Sequence, residues 1–397
     1  MSEWTTLTLA EICAASGGGI QTGPFGSQLH ASDYVAEGTP SVMPQNIGDN
    51  RISTESIARI NDADLARLAK YTLRAGDIVY SRRGDVERRA LVREENAGWL
   101  CGTGCLRVRI QDQLVHDSRF ISFALGLAES REWIVRHAVG ATMLNLNTGI
   151  LGGVPLRVPG VGQQQAIAEV LSALDDKIAA NVEAMRLADE LVRSKYEALA
   201  GDPVPLGSIA LNVRDQVDPK GIAAETPYVG LEHVPRRSMW MSNFETAAKV
   251  SSAKASFREG DVLFGKLRPY FHKVVSAPFS GIASTDILVV RAIRPELRGL
   301  VLAAASSDGA IAATTASSEG TRMPRTKWAD LGAIELPWPG EEQARAFSSE
   351  VVDLAAWAAA TSKESQALAT TRDELLPLLM SGNVRVKDAE KTVEGVL

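Results

Sequence analysis

The 397-residue sequence predicts an α+β fold in which two mixed α/β domains stand in tandem, separated by two long helices. Residues 163–199 contain neither Pro nor Gly and predict the first helix, and residues 341–380 predict the second. Features of the first half also recur in the same order in the second half, which indicates a domain-helix-domain-helix repeat. If each helix leaves its domain in the same way, pseudo-twofold symmetry makes the two helices an antiparallel coiled coil.

Apolar residues recur along both helices at three- and four-residue steps, which places them on one narrow stripe of each helix. The stripes contain Leu171, Leu174, Ile178, Met185, Ala188, Val192 and Leu199 in the first helix and Phe347, Val351, Leu354, Ala358, Leu368, Leu375 and Leu379 in the second. Neither stripe is apolar enough to be stable alone in water, so each helix is expected to pack on the other. Asn181 lies on the first stripe, where it either fixes the register of the pair or is merely tolerated.

The repeat is clearest at one strand and at the loop that follows it. Residues 76–80 read GDIVY and residues 260–264 read GDVLF, and each pentapeptide leads directly into a basic loop. Six further positions between 140 and 159 align with positions between 320 and 339 at a constant offset, with Thr142 against Arg322 as the mismatch. We therefore predict a first domain at 1–160, a helix at 161–200, a second domain at 201–340, a second helix at 341–382 and a tail at 383–397.

Within the first domain the sequence predicts strands at 40–44, 77–81 and 105–110, a helix or turn at 62–70 and a helix at 119–137. Glycine-rich or basic loops are predicted at 17–29, 82–89 and 140–159, the last running into a short strand.

Charge is distributed unevenly along the chain. The net charge is −6, and the two helical stretches carry −3 and −4, so the remainder is at about +1. The globular parts are therefore free to be locally basic. No apolar run is as long as a membrane span, the N-terminus lacks secretory features, and three cysteines are too few for a disulfide framework, so we expect a cytoplasmic protein.

Catalytic chemistry finds little support in the sequence. Asp77, Asp85 and Glu87 could form a nuclease metal site, but Gly-Asp before a strand is a common turn, and the second copy lacks a match to Asp85. Cys101 and Cys105 have a loose zinc spacing without a second pair of ligands, so buried thiols are the better interpretation. No nucleophile elbow, phosphate-binding loop or methyltransferase tetrapeptide is present, and the chain is expected to hold no metal or cofactor.

The basic loops are the candidate nucleic-acid interface, because Arg and Lys neutralise phosphates and because Arg, Asn and Gln can contact base edges. An ordinary solvated basic loop remains the alternative for any single residue. The candidates are Thr22, Gln28, Gln45, Asn46, Arg82, Arg83, Arg88, Arg89, Thr142, Asn145 and Asn147 in the first domain, and Lys266, Arg268, Tyr270, His272, Arg322, Arg325 and Lys327 in the second.

Several stretches resemble the DNA specificity subunit of type I restriction-modification systems. The first domain resembles a target-recognition domain of that family at GPFGSQLHASDY, MPQNI, LRAGDIVYSRRGD and GWLCGTGCLRVR. Residues 163–181 and 373–386 resemble its central and C-terminal repeats, whereas the second domain has no obvious counterpart of GPFGSQL or MPQNI.

The resemblance implies a non-catalytic subunit whose two domains each read one half of a bipartite, asymmetric site in double-stranded DNA. The helices would set the unread spacer and dock two modification subunits, which bind S-adenosylmethionine and flip the target adenine. Restriction subunits could join the complex. Asp175, Asp176, Lys177 and Asn181 are the candidate docking residues. A stand-alone DNA-binding regulator and a non-catalytic scaffold remain alternatives.

Overall fold

The computed structural model describes residues 4–140, 142–318 and 323–395. The chain forms two compact units, Met1–Asp176 with Ala369–Leu397 and Lys177–Leu368. Each long helix therefore contributes one part to each unit.

The first unit is built from short strands and helices. Its strands are β1 (Thr5–Thr8), β2 (Gly19–Thr22), β3 (Tyr34–Val35), β4 (Thr39–Val42), β5 (Asp49–Asn50), β6 (Ala58–Ile60), β7 (Ile78–Ser81), β8 (Arg89–Leu91), β9 (Leu100–Cys101), β10 (Cys105–Arg109) and β11 (Pro155–Val158). Its helices are α1 (Leu9–Ala15), α2 (Asp62–Arg67), α3 (Ser118–Gly126), α4 (Ala128–His137), α5 (Thr148–Gly152) and the first part of α6 (Val161–Glu197). The strands form a sheet in the order β2-β10-β7-β8-β5, a sheet in the order β3-β6-β4-β9 and the pair β1-β11.

The second unit contains the remaining strands. These are β12 (Asp202–Pro205), β13 (Ala210–Val213), β14 (Gln216–Val217), β15 (Pro227–Val229), β16 (Glu245–Thr246), β17 (Lys254–Phe257), β18 (Val262–Gly265), β19 (Val274–Ser276), β20 (Gly281–Ala283), β21 (Ile287–Ala292) and β22 (Glu335–Trp338). The helices that follow in the chain are α7 (Arg298–Ala305), α8 (Asp308–Ala316), α9 (Trp328–Gly332) and α10 (Glu341–Ser381), with α11 (Val386–Glu394) in the first unit. The sheet orders are β13-β21-β18-β19 and β14-β17-β20-β15-β16, with the pair β12-β22.

The Gly-Asp repeat has the same structure in both units. Gly76 and Gly260 have φ angles of +84° and +83°, a backbone region that favours glycine. Asp77 accepts a hydrogen bond from the Arg74 backbone N–H at 2.8 Å and pairs with Arg109 of the neighbouring strand. Asp261 accepts from the Arg258 N–H at 2.8 Å and pairs with Arg291. Each aspartate therefore closes the turn and holds two strands together.

The predicted helical stripes are mostly buried, with Ile178, Met185, Leu199 and Leu354 half-buried. Leu171, Leu174, Val192, Val351, Leu368 and Leu379 are all inaccessible to solvent or nearly so. In the second unit the helices run antiparallel, because Asn181 of α6 donates to Glu364 of α10 at 2.7 Å while Lys195, further along α6, pairs with Glu350. The same Asn181 amide donates to Ser365 at 3.2 Å. The predicted α+β class with two long helices is confirmed.

The expected helix at 119–137 is two helices instead of one. The backbone at Leu127 is extended, which ends α3 before α4 begins. Gly126 lies against the Arg89 guanidinium, where an added Cβ would be only 1.9 Å from a side-chain nitrogen. The bend thus occurs where the chain passes a buried arginine.

Within the described residues, no single helix is both long and apolar enough to cross a membrane. One bent pair of segments, Pro295–Ala305 with Asp308–Ala316, meets the requirement by length and composition only.

Candidate nucleic-acid interface

In the first unit the basic loop after β7 lies against the loop around residue 145. The Arg82 backbone N–H donates to the Gly104 carbonyl at 2.8 Å, and the Arg82 carbonyl accepts from the Leu146 N–H at 2.8 Å. The Gly84 N–H donates to the Leu144 carbonyl at 3.0 Å. Two loops that are distant in sequence are therefore joined by their backbones into one surface.

The side chains of this surface differ in how far they are engaged within the fold. The Arg82 guanidinium lies 5.5 Å from the ring centroid of Phe25, which is itself exposed. Arg83 is exposed and has no side-chain partner among the described residues. Arg88 pairs with Asp85 at 2.6 Å and stays half exposed. Arg82, Arg83 and Arg88 are thus accessible to a ligand.

Four neutral candidates of the first unit are accessible in varying degree. Gln45 and Thr142 are exposed, and Thr22 and Asn145 are half-buried. Asn145 also donates to the Met143 carbonyl at 3.0 Å. These side chains can still meet a ligand from the surface.

Two candidates of the first unit have structural roles. The Gln28 side-chain oxygen accepts from the Phe25 N–H and the Tyr71 hydroxyl, at 3.2 and 2.9 Å. Asn147 caps α5 by accepting from the Ile150 N–H at 2.8 Å.

The sequence-based list needs correction at three buried positions. Asn46 is fully buried, accepts from the Met43 N–H and donates to the Glu55 carbonyl. Arg89 is buried, donates to the Ser122 carbonyl at 2.6 Å and pairs with Asp49. His272, in the second unit, is buried with Nε2 at 2.8 Å from the Ser306 carbonyl. Their polar atoms are satisfied inside the fold, so we leave them out of the proposed interface.

The second unit repeats the loop framework with different side chains. The Lys266 N–H donates to the Asp286 carbonyl at 2.8 Å, and the Lys266 carbonyl accepts from the Thr326 N–H at 3.1 Å. The Arg268 N–H donates to the Pro324 carbonyl at 2.8 Å. Lys266, Arg268 and Arg325 therefore occupy the places of Arg82, Gly84 and Asn145.

Aromatic rings accompany the basic residues of this second loop. The ring of Phe271 lies 4.1 Å from the Arg236 guanidinium and 5.7 Å from that of Arg268. Tyr270 packs edge-on against Phe271 and is half exposed. Arg322 lies outside the described residues. The surface therefore combines cations with a ring that can stack on a base.

Beside this loop is a basic recess that the sequence did not predict as a whole. A cavity of about 460 Å³ is lined by the four cations Arg214, Lys266, Arg325 and Lys327, and no carboxylate of residues 4–140, 142–318 or 323–395 lines it. Burial lowers the pKa of Lys266, and the nearby Arg325 and Arg214 add to the shift. Arg325 pairs with Asp286 at 3.1 Å. Arg214 was missed because a single arginine after a strand carries no motif.

The counterpart of MPQNI in the second domain was also missed. In the first unit, Asn46 closes the short turn after β4 by accepting from Met43 N. In the second unit, His233 Nδ1 accepts from the Gly230 N–H at 2.9 Å in the turn after β15. Both strands pair parallel with a strand of the same domain, β9 and β20 respectively. Glu232 therefore occupies the place of Gln45, although the two segments share no residue.

The candidate docking residues are mostly engaged. Asp175 is buried and pairs with Arg372 at 2.8 Å, which places it between helices instead of on an outward face. Asp176 is half exposed and pairs with Arg51 and Arg93. Lys177 pairs with Glu364 at 3.5 Å.

The cysteines are inert thiols in this fold. Cys13, Cys101 and Cys105 are free and buried, and burial raises the pKa of Cys13 and of Cys101 to about 12. A thiol with such a pKa is a poor nucleophile at neutral pH. No group of three or more metal-binding side chains occurs in the part of the chain that the structure describes.

The loop framework is thus duplicated, with cations and amides at equivalent places in the two units. Residues 1–184 match the type I restriction modification DNA specificity domain family. The matched segment comprises the globular part of the first unit and the first part of α6.

One solved structure shows the same fold, and two others are similar to the chain at lower TM-scores. The type I restriction-modification S subunit from M. genitalium has a TM-score of 0.60 and 17% identity over 95% of this chain and 96% of its own. The HsdS subunit from Thermoanaerobacter tengcongensis has a TM-score of 0.37 and 14% identity, covering 96% and 97% of the two chains. A structure that describes complex assembly and conformational transition of the type I R-M system has a TM-score of 0.38 and 16% identity, over 96% of this chain and 98% of its own. No curated protein matches the chain in sequence.

Proposed function

We propose that this chain recognises a bipartite, asymmetric site in double-stranded DNA, with each unit reading one half of it. The observation that carries the proposal is the repeated loop framework, in which Arg82 and Lys266 have the same backbone hydrogen bonds but different neighbours. A shared backbone with different side chains fits two domains that read different sequences. Phosphate contacts would position each unit, and side chains at base edges would provide specificity.

A selection from duplexes with a randomised 20-base-pair segment tests this proposal. The expected result is a motif of two defined halves separated by a spacer in which any base is accepted. A single uninterrupted motif, or no preference among bound sequences, would contradict it.

The chain would act as part of a cytoplasmic type I complex. Two modification subunits, which would carry S-adenosylmethionine, would dock on the helices. The helices would also set the length of the unread spacer. Restriction subunits could join the complex. Leu187 and Leu191 support docking on α6, because they lie one turn apart and remain exposed within the second unit.

Co-purification tests the docking step. Leu187→Lys with Leu191→Lys should reduce the amount of modification subunit recovered with the tagged chain, while Arg186→Gln on the same exposed segment should not. Undiminished recovery with the double variant would remove this face from the proposal. A chain that binds its DNA motif but never co-purifies with a methyltransferase would favour the stand-alone regulator.

A further inference from the structure

The two units differ in charge at three of four equivalent positions in and beside the loop framework. Thr22 pairs with Leu106 of β10, and continuing the β13–β21 register by one residue beyond Val213 places Arg214 opposite Leu288, the equivalent of Leu106. The loop bridges place Lys266 with Arg82 and Arg325 with Asn145. Lys327 and Asn147 both precede the first residue of a short helix, α9 and α5. The second unit therefore carries four cations where the first carries one.

These four cations converge on one concavity. All of them line the cavity of about 460 Å³ in the second unit, and among the described residues no Asp or Glu lines it. The Lys266 ammonium donates to the Thr285 carbonyl at 2.7 Å, which leaves two of its three protons for a ligand. Asp286, whose charge acts on Lys266, is already paired with Arg325.

A second observation indicates that the recess is built for an acceptor group. Thr326 lines the same cavity and is buried, and its hydroxyl has no hydrogen-bond partner among the described residues. A buried polar group without a partner is unfavourable. The Thr326 hydroxyl is therefore an unsatisfied donor beside the four cations of the recess.

We propose that this recess binds a backbone phosphate of DNA and that the second unit supplies most of the salt-sensitive part of the binding free energy. At the equivalent places the first unit has Arg82 with the neutral Thr22, Asn145 and Asn147, so it presents one cation there instead of four. The proposal rests on the proposed function, because it requires that both units bind duplex DNA. It adds a division of roles between two units that share one framework.

Salt dependence of binding measures this division directly. The full-length chain is titrated with a fluorescent 30-base-pair duplex of random sequence between about 50 and 200 mM salt, because non-specific binding depends mainly on phosphate contacts. Arg214→Gln with Arg325→Gln should reduce the slope of log K against log salt by about 1.8, since each lost phosphate contact removes about 0.9. Thr22→Ala with Asn145→Ala should leave the slope unchanged.

Controls separate charge from folding. Arg214→Lys keeps the charge and should keep the slope. If the role of Arg214 were purely structural, the affinity would fall in Arg214→Lys as well, because keeping the charge would not restore it. Arg136→Gln, which removes an exposed arginine of α4, should not change the slope. An unchanged slope in the Arg214 and Arg325 double variant, or an equal fall in Arg136→Gln, would overturn the proposal while leaving DNA recognition intact.

Two further outcomes are decisive. If inorganic phosphate binds the wild-type recess but the duplex slope does not depend on Arg214 and Arg325, the recess is a site for a free anion, and the proposal fails. If the wild-type chain, with or without its partner subunits, binds no duplex at any salt concentration, the proposed function fails together with this inference.

Discussion

At the scale of single residues, the equivalence of Gly84 and Arg268 shows a backbone requirement that one unit meets with glycine and the other with arginine. Gly84 has a φ of +77° and Arg268 a φ of +51°. A side chain in this left-handed region costs about 1–2 kcal/mol. The second unit tolerates that cost at Arg268, whose guanidinium lies beside the Phe271 ring. Strained backbone of this kind is typical of functional sites.

Substitutions at the two positions should separate backbone strain from side-chain contacts. Arg268→Gly and Arg268→Ala both remove the stacking on Phe271, but only Ala keeps a Cβ in the left-handed region. We expect the Gly variant to be more stable than the Ala variant by about 1 kcal/mol in the free energy of unfolding. Gly84→Ala should lower stability by a similar amount, because an added Cβ there meets nothing within 4 Å and only the φ angle is strained. Equal stability of the two Arg268 variants in denaturant titrations would contradict this account.

His272 makes stability depend on pH. Burial, followed by the nearby Arg193, lowers the pKa of His272 below the ordinary value of 6.5. Below pH 6.5 the unfolded chain therefore binds a proton that the folded chain excludes, and stability falls as pH decreases towards the lowered pKa. Above pH 6.5 both states are neutral at this site, and the contribution is fully present.

The measurement is the free energy of unfolding between pH 5 and pH 7.5. His272→Asn removes the titrating group while tolerating the positive φ of this residue, so the acid-side loss should be smaller than in the wild type. Burial also lowers the pKa of His116, so part of the acid-side loss of stability should remain in this variant. The exposed His30, replaced by Asn, serves as the control, and an unaltered pH profile in His272→Asn would exclude the assignment.

At the scale of elements, the sequence predicted the features that depend on a local pattern of residues. The stripes of α6 and α10 follow from three- and four-residue spacing, and the Gly-Asp turns before β7 and β18 follow from the repeat. The roles of Arg89 and Asn46 could not be predicted, because their carbonyl partners Ser122 and Glu55 are set by tertiary packing. The His233 turn could not be predicted from the sequence, because an imidazole nitrogen accepts the backbone hydrogen bond that an amide oxygen accepts in the first unit. The geometry of the turn is therefore kept without sequence identity.

The parts of α6 and α10 that belong to the first unit are joined by a buried ion pair. Asp175 of α6 accepts from Arg372 of α10 at 2.8 Å, and both side chains are largely shielded from solvent. Removing one partner of such a pair leaves an uncompensated buried charge, whereas removing both can be nearly neutral. The pair therefore fixes which residues of the two helices face each other, in addition to any effect on stability.

A double-mutant cycle tests this pair. Arg372→Met should lower the free energy of unfolding by about 3–5 kcal/mol, and adding Asp175→Leu should restore most of the loss. Arg385→Met, which breaks the exposed pair with Asp388, is the matched control and should leave the free energy of unfolding nearly unchanged. Additive losses in the Asp175 and Arg372 double variant would show that the two side chains do not act as a pair.

At the scale of the whole molecule, the repeat implies that the two halves of the proposed DNA motif can be altered independently. Arg82 and Arg83 belong to the first unit, and Lys266 and Arg268 belong to the second. Each pair lies on a loop that is fixed by hydrogen bonds within its own unit. A substitution in one loop therefore leaves the backbone of the other loop intact.

Selections of bound DNA with loop variants test this independence. Arg82→Ala with Arg83→Ala should relax base preference in one half of the selected motif, and Lys266→Ala with Arg268→Ala should relax it in the other half, because each lost base contact removes about 1–3 kcal/mol of discrimination. The spacer length should stay the same in both variants, since neither changes a helix. If either variant weakened both halves equally, the loops would contribute general affinity instead of half-site recognition, and a two-reader account would no longer explain why the framework is duplicated with different side chains.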